Sequence, residues 1–163
     1  TCSEAPGAGL GLSWVRAIEV PVNTGYRGEM LRYLIEHSKA RTMVLSADYL
    51  SQVAELEPLP STLSTLIVPD FVDPIAGLPY RILRREEFLA DAHPDTSLLG
   101  SGVSDIATIM YTSGTTGSSK GVPMPWGQRS KQASAETFVG DVTPEDAHHF
   151  PFPLFHISVT SPL

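Results

Sequence analysis

The chain has 163 residues, of which 42% are hydrophobic and 18% charged, and this suits a single globular domain rather than a disordered segment. Its net charge of -7, with no basic run longer than Arg84-Arg85, argues against a nucleic-acid-binding protein. The single cysteine, Cys2, excludes an internal disulfide and a cysteine-based metal site within the chain, and no apolar run is long enough to form a transmembrane segment.

The first 70 residues alternate between apolar segments and turns. Residues 18–22 are predicted as a short buried strand and residues 29–39 as an amphipathic helix. Residues 41–45 form the next predicted strand, residues 48–56 a helix that ends before two prolines, and residues 63–68 a buried strand. The order strand, helix, strand predicts a βαβ unit and a parallel sheet.

The second half of the chain is richer in loops. We predict a loop over residues 71–80, a short amphipathic helix over 84–90 and a polar linker over 92–102. Residues 105–111 are predicted as a strand, residues 128–139 as a helix and residues 146–152 as a further strand. The expected fold class is therefore α/β, with a largely parallel sheet flanked by helices.

A loop rich in glycine and hydroxyl side chains, residues 112–121, follows the strand predicted at 105–111. It holds three glycines, six hydroxyl groups and one lysine, and no acidic side chain. Glycines let successive backbone N–H groups face an anion, hydroxyls add neutral donors, and Lys120 adds a positive charge. The spacing does not match the Walker A loop, because Ser119 precedes Lys120 and Gly121 follows it. A flexible linker is the alternative, but the flanking apolar strand and Lys-Gly-Val favour a phosphate-binding loop.

Tyr-Thr-Ser-Gly-Thr-Thr-Gly-Ser-Ser-Lys-Gly-Val, from Tyr111 to Val122, resembles the signature loop of the adenylate-forming superfamily. That superfamily includes acyl-CoA synthetases, luciferases and the adenylation domains of peptide synthetases. The chain departs from the family pattern at Ser119, where proline is usual. Residues 20–29 and the segment Pro-Leu-Phe-His at 153–156 also resemble family motifs, although Val159 stands where the family often has glycine.

This resemblance implies that the chain is part of the large amino-terminal domain of an adenylate-forming enzyme. It implies a catalytic role for Lys120 and for His156, which Phe155 would support. It also implies that the loop binds ATP through Thr112, Ser113, Gly114, Thr115, Thr116, Gly117 and Lys120.

The expected activity is that of an AMP-forming carboxylate–CoA ligase. Such an enzyme uses ATP with Mg²⁺ to convert a carboxylic acid to an acyl-adenylate, and then passes the acyl group to coenzyme A. A peptide-synthetase adenylation domain, a luciferase-like enzyme and a non-catalytic remnant remain as alternatives. No protein-bound metal site is expected, because adjacent histidines such as His148-His149 point to opposite faces of a strand.

The motifs also lead to an expectation about the extent of the chain. Family segments for adenine, ribose and the carboxy-terminal lobe are not found within the 163 residues. We therefore expect residues 1–163 to be a fragment of an AMP-binding domain that lacks the carboxy-terminal lobe and has little activity alone. A cytoplasmic location is expected, and the oligomeric state and the acyl substrate stay open.

Overall fold

The computed structural model describes residues 11–70, 77–90, 93, 95, 97–112, 119–136, 153 and 155. Contacts divide the chain into two compact units. The central unit is Thr24–Asp95, and the split unit combines Thr1–Asn23 with Thr96–Leu163. Within the described residues, no helix combines the length and the apolar character required to cross a bilayer.

Helix α1, Gly28–Ser38, opens the central unit and confirms the amphipathic helix predicted there. Its buried residues Leu31, Leu34 and Ile35 recur at three- and four-residue spacing and form one apolar face. The helix ends at Lys39, which adopts a left-handed conformation with φ of 56°. That conformation lets the amide of the next residue reach back to the Ile35 carbonyl at 3.3 Å, so the last turn is capped.

A parallel three-stranded sheet follows α1 and confirms the α/β fold class. Its strands are β1 (Thr42–Val44), β2 (Thr65–Ile67) and β3 (Arg81–Leu83), in that spatial order. Between β1 and β2 the chain forms a 3-10 turn, Ala47–Tyr49, and helix α2, Leu50–Ala54, where one helix was predicted.

Strand β3 was not predicted, because three residues after a proline carry too little alternation to be recognised. It is defined by its neighbour β2, since the amide of Val68 donates to the carbonyl of Leu83 at 2.9 Å. Helix α3, Arg85–Leu89, lies inside the range predicted for a short helix. Its apolar residues Phe88 and Leu89 are about half exposed.

The apolar core of the described residues lies mainly in the central unit. Side chains from α1, α2, β2 and the adjoining turns meet there with relative exposures of 8% or less. These residues are Leu31, Leu34, Ile35, Leu45, Leu50, Val53, Leu56, Leu63, Leu66, Ile67 and Val68.

The split unit is built on an antiparallel hairpin. Strand β4, Ile106–Thr112, matches the strand predicted before the glycine-rich loop, and it pairs with β5, Lys120–Pro125. Strand β5 was not predicted, because its glycine and two prolines argue against a strand in a sequence. Among the described residues β5 pairs only with β4, and an edge strand tolerates proline. Helix α4, Trp126–Glu136, follows directly and overlaps the helix predicted at 128–139.

The prediction of a buried strand at residues 18–22 was wrong. Only Glu19 forms a bridge, parallel to Thr108 of β4, and Ile18 is 48% exposed. Residues 18–22 therefore do not form the first strand of a βαβ unit with α1 and β1. The strand predicted at residues 146–152 lies outside the described residues.

Candidate phosphate-binding site

The ends of the glycine-rich loop meet as a directly opposed pair of residues. Thr112 is the last residue of β4 and Lys120 the first of β5, and the two are cross-strand partners. The register therefore holds the two ends of the loop, eight positions apart in the sequence, side by side. Two of the predicted ATP-binding residues are brought together in this way.

Antiparallel pairing also determines the face on which these side chains stand. Opposed residues project to the same face of a hairpin, so the hydroxyl of Thr112 and the ammonium of Lys120 share one face. Both residues are exposed. An exposed hydroxyl donor beside an exposed cation suits a phosphate oxygen that arrives from solvent.

The next pair along the hairpin, Tyr111 and Gly121, is held in close contact. A Cβ atom placed on Gly121 would lie 2.9 Å from Cγ2 of Ile109 and 3.3 Å from Cζ of Tyr111. No side chain fits there without movement of these neighbours. A residue larger than glycine after Lys120 would therefore displace Ile109, whose Cγ2 is the nearest atom, and would press against the Tyr111 ring.

Ser119, the residue that departs from the family pattern, is buried with 6% exposure. Its neighbour Lys120 is exposed, so the chain alternates between inside and outside as β5 begins. The Ser119 side chain therefore faces the protein rather than the solvent.

A partly buried ion pair lies near the end of the hairpin that is opposite the loop. Glu19 accepts a 3.0 Å hydrogen bond from Nη1 of Arg129 on α4, while its backbone bonds β4 through Ala107 and Ile109. Arg129 is 7% exposed, and its guanidinium carbon lies 5.3 Å from the centre of the Trp126 ring. Sequence reasoning missed this pair, because Glu19 and Arg129 are 110 positions apart and belong to no motif.

A shallow cavity of about 450 Å³ lies at the start of α4, lined by residues that include Ser101, Val103, Trp126 and Lys131. These residues border the beginning of β4 and the end of β5. The cavity is therefore at the opposite end of the hairpin from the loop, and we assign no ligand to it.

Several predicted site residues lie outside the described part of the chain. They are Ser113, Gly114, Thr115, Thr116, Gly117 and His156, and the pair His148-His149 is also outside it. Phe155 is described as a half-buried turn residue. Within the described ranges, no group of three His, Cys, Asp or Glu side chains is arranged to hold a metal ion.

Comparison with known proteins identifies one family. The sequence matches the AMP-binding enzyme family over residues 1–161. It is 32% identical over 159 residues to a substituted propanoyl:CoA ligase of Rhodococcus jostii, covering 91% of this chain and 31% of that protein. It is also 32% identical over 164 residues to the chalcone synthase cfoA of Aspergillus candidus, covering 95% of this chain and 6% of that protein.

A solved structure supports the fold. The inhibitor-bound amino-terminal domain of FACL13 from Mycobacterium tuberculosis superposes with a TM-score of 0.73 at 22% identity. The match covers 94% of this chain and 36% of that domain. The chain thus spans about a third or less of the length of each of these proteins.

Proposed function

Since this chain belongs to the AMP-binding enzyme family, we propose that it takes part in ATP-dependent activation of a carboxylate to an acyl-adenylate. In the second step of the proposed reaction the thiol of coenzyme A attacks the acyl carbonyl, a thioester forms and AMP leaves. The loop that starts after β4 is the proposed binding site for the β- and γ-phosphates of ATP. The observation that carries this proposal is the cross-strand pairing of Thr112 with Lys120 at the base of that loop.

The chemistry requires a site that holds the departing pyrophosphate. A carboxylate oxygen attacks the α-phosphorus of ATP, an oxygen–phosphorus bond forms, and the bond from the α-phosphorus to the bridging oxygen breaks. Negative charge grows on the pyrophosphate as it leaves. Lys120 neutralises part of that charge, and Thr112 donates a hydrogen bond to a phosphate oxygen at the same face.

The remaining loop residues complete the proposed site. We assign phosphate contacts to Ser113, Gly114, Thr115, Thr116 and Gly117 through hydroxyl and backbone donors. Mg²⁺ would be carried by the phosphates of the nucleotide, because an ammonium and neutral hydroxyls suit an anion better than a cation. His156 is proposed as a catalytic residue beside the nucleotide and the acyl group.

The first test is the affinity of this chain for MgATP with Lys120 removed. Lys120→Ala should weaken binding by at least about tenfold, because a charge-assisted hydrogen bond to phosphate is lost. Isothermal titration calorimetry measures the dissociation constant directly. Lys131→Ala is the matched control, since Lys131 is also exposed and lies in the same unit but on α4.

Equal affinity for wild type and Lys120→Ala would overturn the assignment of the loop, as would equal losses in both lysine variants. Where carboxylate-dependent ATP–pyrophosphate exchange is measurable, Thr116→Ala and Lys120→Ala should both lower its rate. Exchange that is unchanged in both variants would remove these residues from the site.

A second candidate function is adenylation within a larger synthase. It is favoured by the match to the Aspergillus candidus chalcone synthase, of which the aligned region is a small part. The two candidates differ in the thiol that accepts the acyl group. Supplying a preformed acyl-adenylate with either coenzyme A or a phosphopantetheinyl carrier protein, and identifying the thioester, distinguishes them.

A further inference from the structure

Tyr111 stands next to the proposed phosphate-binding pair without being part of it. It is paired with Gly121, one step along the ladder from Thr112 and Lys120. Because neighbouring residues of a strand project to opposite faces, the Tyr111 ring lies on the face away from the Lys120 ammonium. Any effect of Tyr111 on a phosphate bound at the other face must pass through the backbone.

The contact between Tyr111 and Gly121 is made by the far end of the ring. A Cβ on Gly121 would meet Cζ of Tyr111 at 3.3 Å and its Oη at 3.5 Å. These are the distal atoms of the phenol, so the ring extends across β5 and covers the glycine. Cγ2 of Ile109 would lie 2.9 Å from the same Cβ, so this side chain also limits the space at Gly121.

Without these contacts, the glycine that follows Lys120 would leave the first residues of β5 with more backbone freedom. Glycine has more backbone freedom than any other residue, and freedom at Gly121 would spread the direction of the Lys120 side chain. The Tyr111 ring and Ile109 occupy the space into which this segment could move. This packing restrains the backbone that carries Lys120, whose Cα is paired with that of Thr112.

We propose that Tyr111 is a positioning residue that restrains Gly121 and thereby presents Lys120 to a polyphosphate. This inference rests on the proposed function of the loop. It predicts that the aromatic ring matters and that the phenol hydroxyl matters less, because the ring supplies the packing. It also predicts that Tyr111 contributes to anion affinity only when Lys120 is present.

The experiment measures binding of MgATP and of inorganic tripolyphosphate to four forms of the chain. They are the wild type, Tyr111→Leu, Tyr111→Phe and the double variant of Tyr111→Leu with Lys120→Ala, and the single variant Lys120→Ala is measured beside them on both ligands to close the cycle. Tyr111→Leu should weaken both ligands about two- to fivefold, which is the range set by the backbone freedom of one glycine. Tyr111→Phe should restore affinity to within about twofold of wild type.

The double variant separates positioning from a general loss of structure. In the Lys120→Ala background, Tyr111→Leu should cause no further loss of affinity, since its effect acts through the lysine. An equal additional loss there would overturn the inference. If Tyr111→Leu does not fold, Tyr111→Met, which is of similar length and has no ring, takes its place in the same cycle.

The outcomes also distinguish this inference from the proposed function. If wild type and Lys120→Ala bind both ligands alike, the phosphate site itself is refuted. If Lys120→Ala weakens binding while Tyr111→Leu binds like wild type, only the positioning role fails.

Discussion

The side chain of Asp70 links the segments that follow strands β1 and β2. Asp70 follows β2, and its carboxylate accepts hydrogen bonds from the hydroxyl of Ser46 at 2.5 Å and from the amide of Ala47 at 2.9 Å. Both donors follow β1. The bond from Ser46 and then that from Ala47 lower the pKa of Asp70, because both favour the ionised form.

This pKa shift predicts an acid-dependent contribution to stability. A lowered pKa in the folded state stabilises the protein above the unfolded pKa of about 4, and that stability is lost as pH falls through the folded pKa. Asp70→Asn should therefore reduce the free energy of unfolding at pH 7 by less than about 1 kcal/mol, since the site is exposed. The difference in the free energy of unfolding between Asp70→Asn and wild type should narrow as pH falls from about 5 towards 3. Urea denaturation at several pH values measures it.

Ser46→Ala provides a second route to the same result, because it removes the larger of the two causes. Ser46→Ala should raise the pKa of Asp70 towards its ordinary value. The free energy of unfolding should then depend less on pH in the acidic range, as in Asp70→Asn. A difference between wild type and Asp70→Asn that stays constant from neutral to acidic pH would contradict the argument.

Among the structural elements, Glu19 connects a strand edge to a helix. Its backbone bonds one edge of β4, whose other edge is occupied by β5, and its side chain reaches Arg129 of α4. The side chain of Arg129 is 9% exposed and that of Glu19 is 23% exposed. A guanidinium this buried requires a compensating charge, so the pair should matter more than a surface ion pair.

Removing the charge of Glu19 tests the strength of this connection. Glu19→Gln should lower the free energy of unfolding by about 1–3 kcal/mol, less than for a fully buried pair because Glu19 is partly exposed. Chemical denaturation gives the value. Arg16→Gln is the control at the exposed Arg16–Asp105 pair, where the loss should be below about 1 kcal/mol. Equal losses at the two sites would show that burial does not strengthen the Glu19 pair.

For the whole chain, the described apolar core is unevenly divided between the two units. The buried hydrophobic residues of the split unit are Ala107 and Met124, whereas those of the central unit come from α1, α2, β2 and their turns. A region with many buried apolar contacts opens locally less often than a region with few. The central unit should therefore be the more resistant of the two to local unfolding.

Native-state hydrogen exchange tests this expectation. The slowest amides should lie in β2, around Leu66, and in the buried face of α1, around Ile35, because both residues are at most 2% exposed. The amides of Lys120 and Gly121 at the loop end of the hairpin should exchange faster, because Lys120 is exposed and Gly121 half-buried. Slower exchange in β5 than in β2 would contradict this order.

Much of the fold was predictable because its signals are local. Helix α1 was predicted from the spacing of its apolar residues, and β2 and β4 from short apolar runs next to turns. Strand β3 and strand β5 were not predicted. Three residues in β3 and two prolines in β5 leave no local pattern, and their pairing with a neighbouring strand is what defines them.

The sequence by itself determined the family, the α/β class and the glycine-rich loop as the candidate phosphate site, since each depends on residues close together along the chain. Only the tertiary structure decided that Thr112 opposes Lys120, that Ile109 and Tyr111 leave no room for a side chain at Gly121, and that Glu19 forms a bridge to β4. The physical reason is that pairing register and side-chain packing depend on contacts between distant residues, which no local periodicity records.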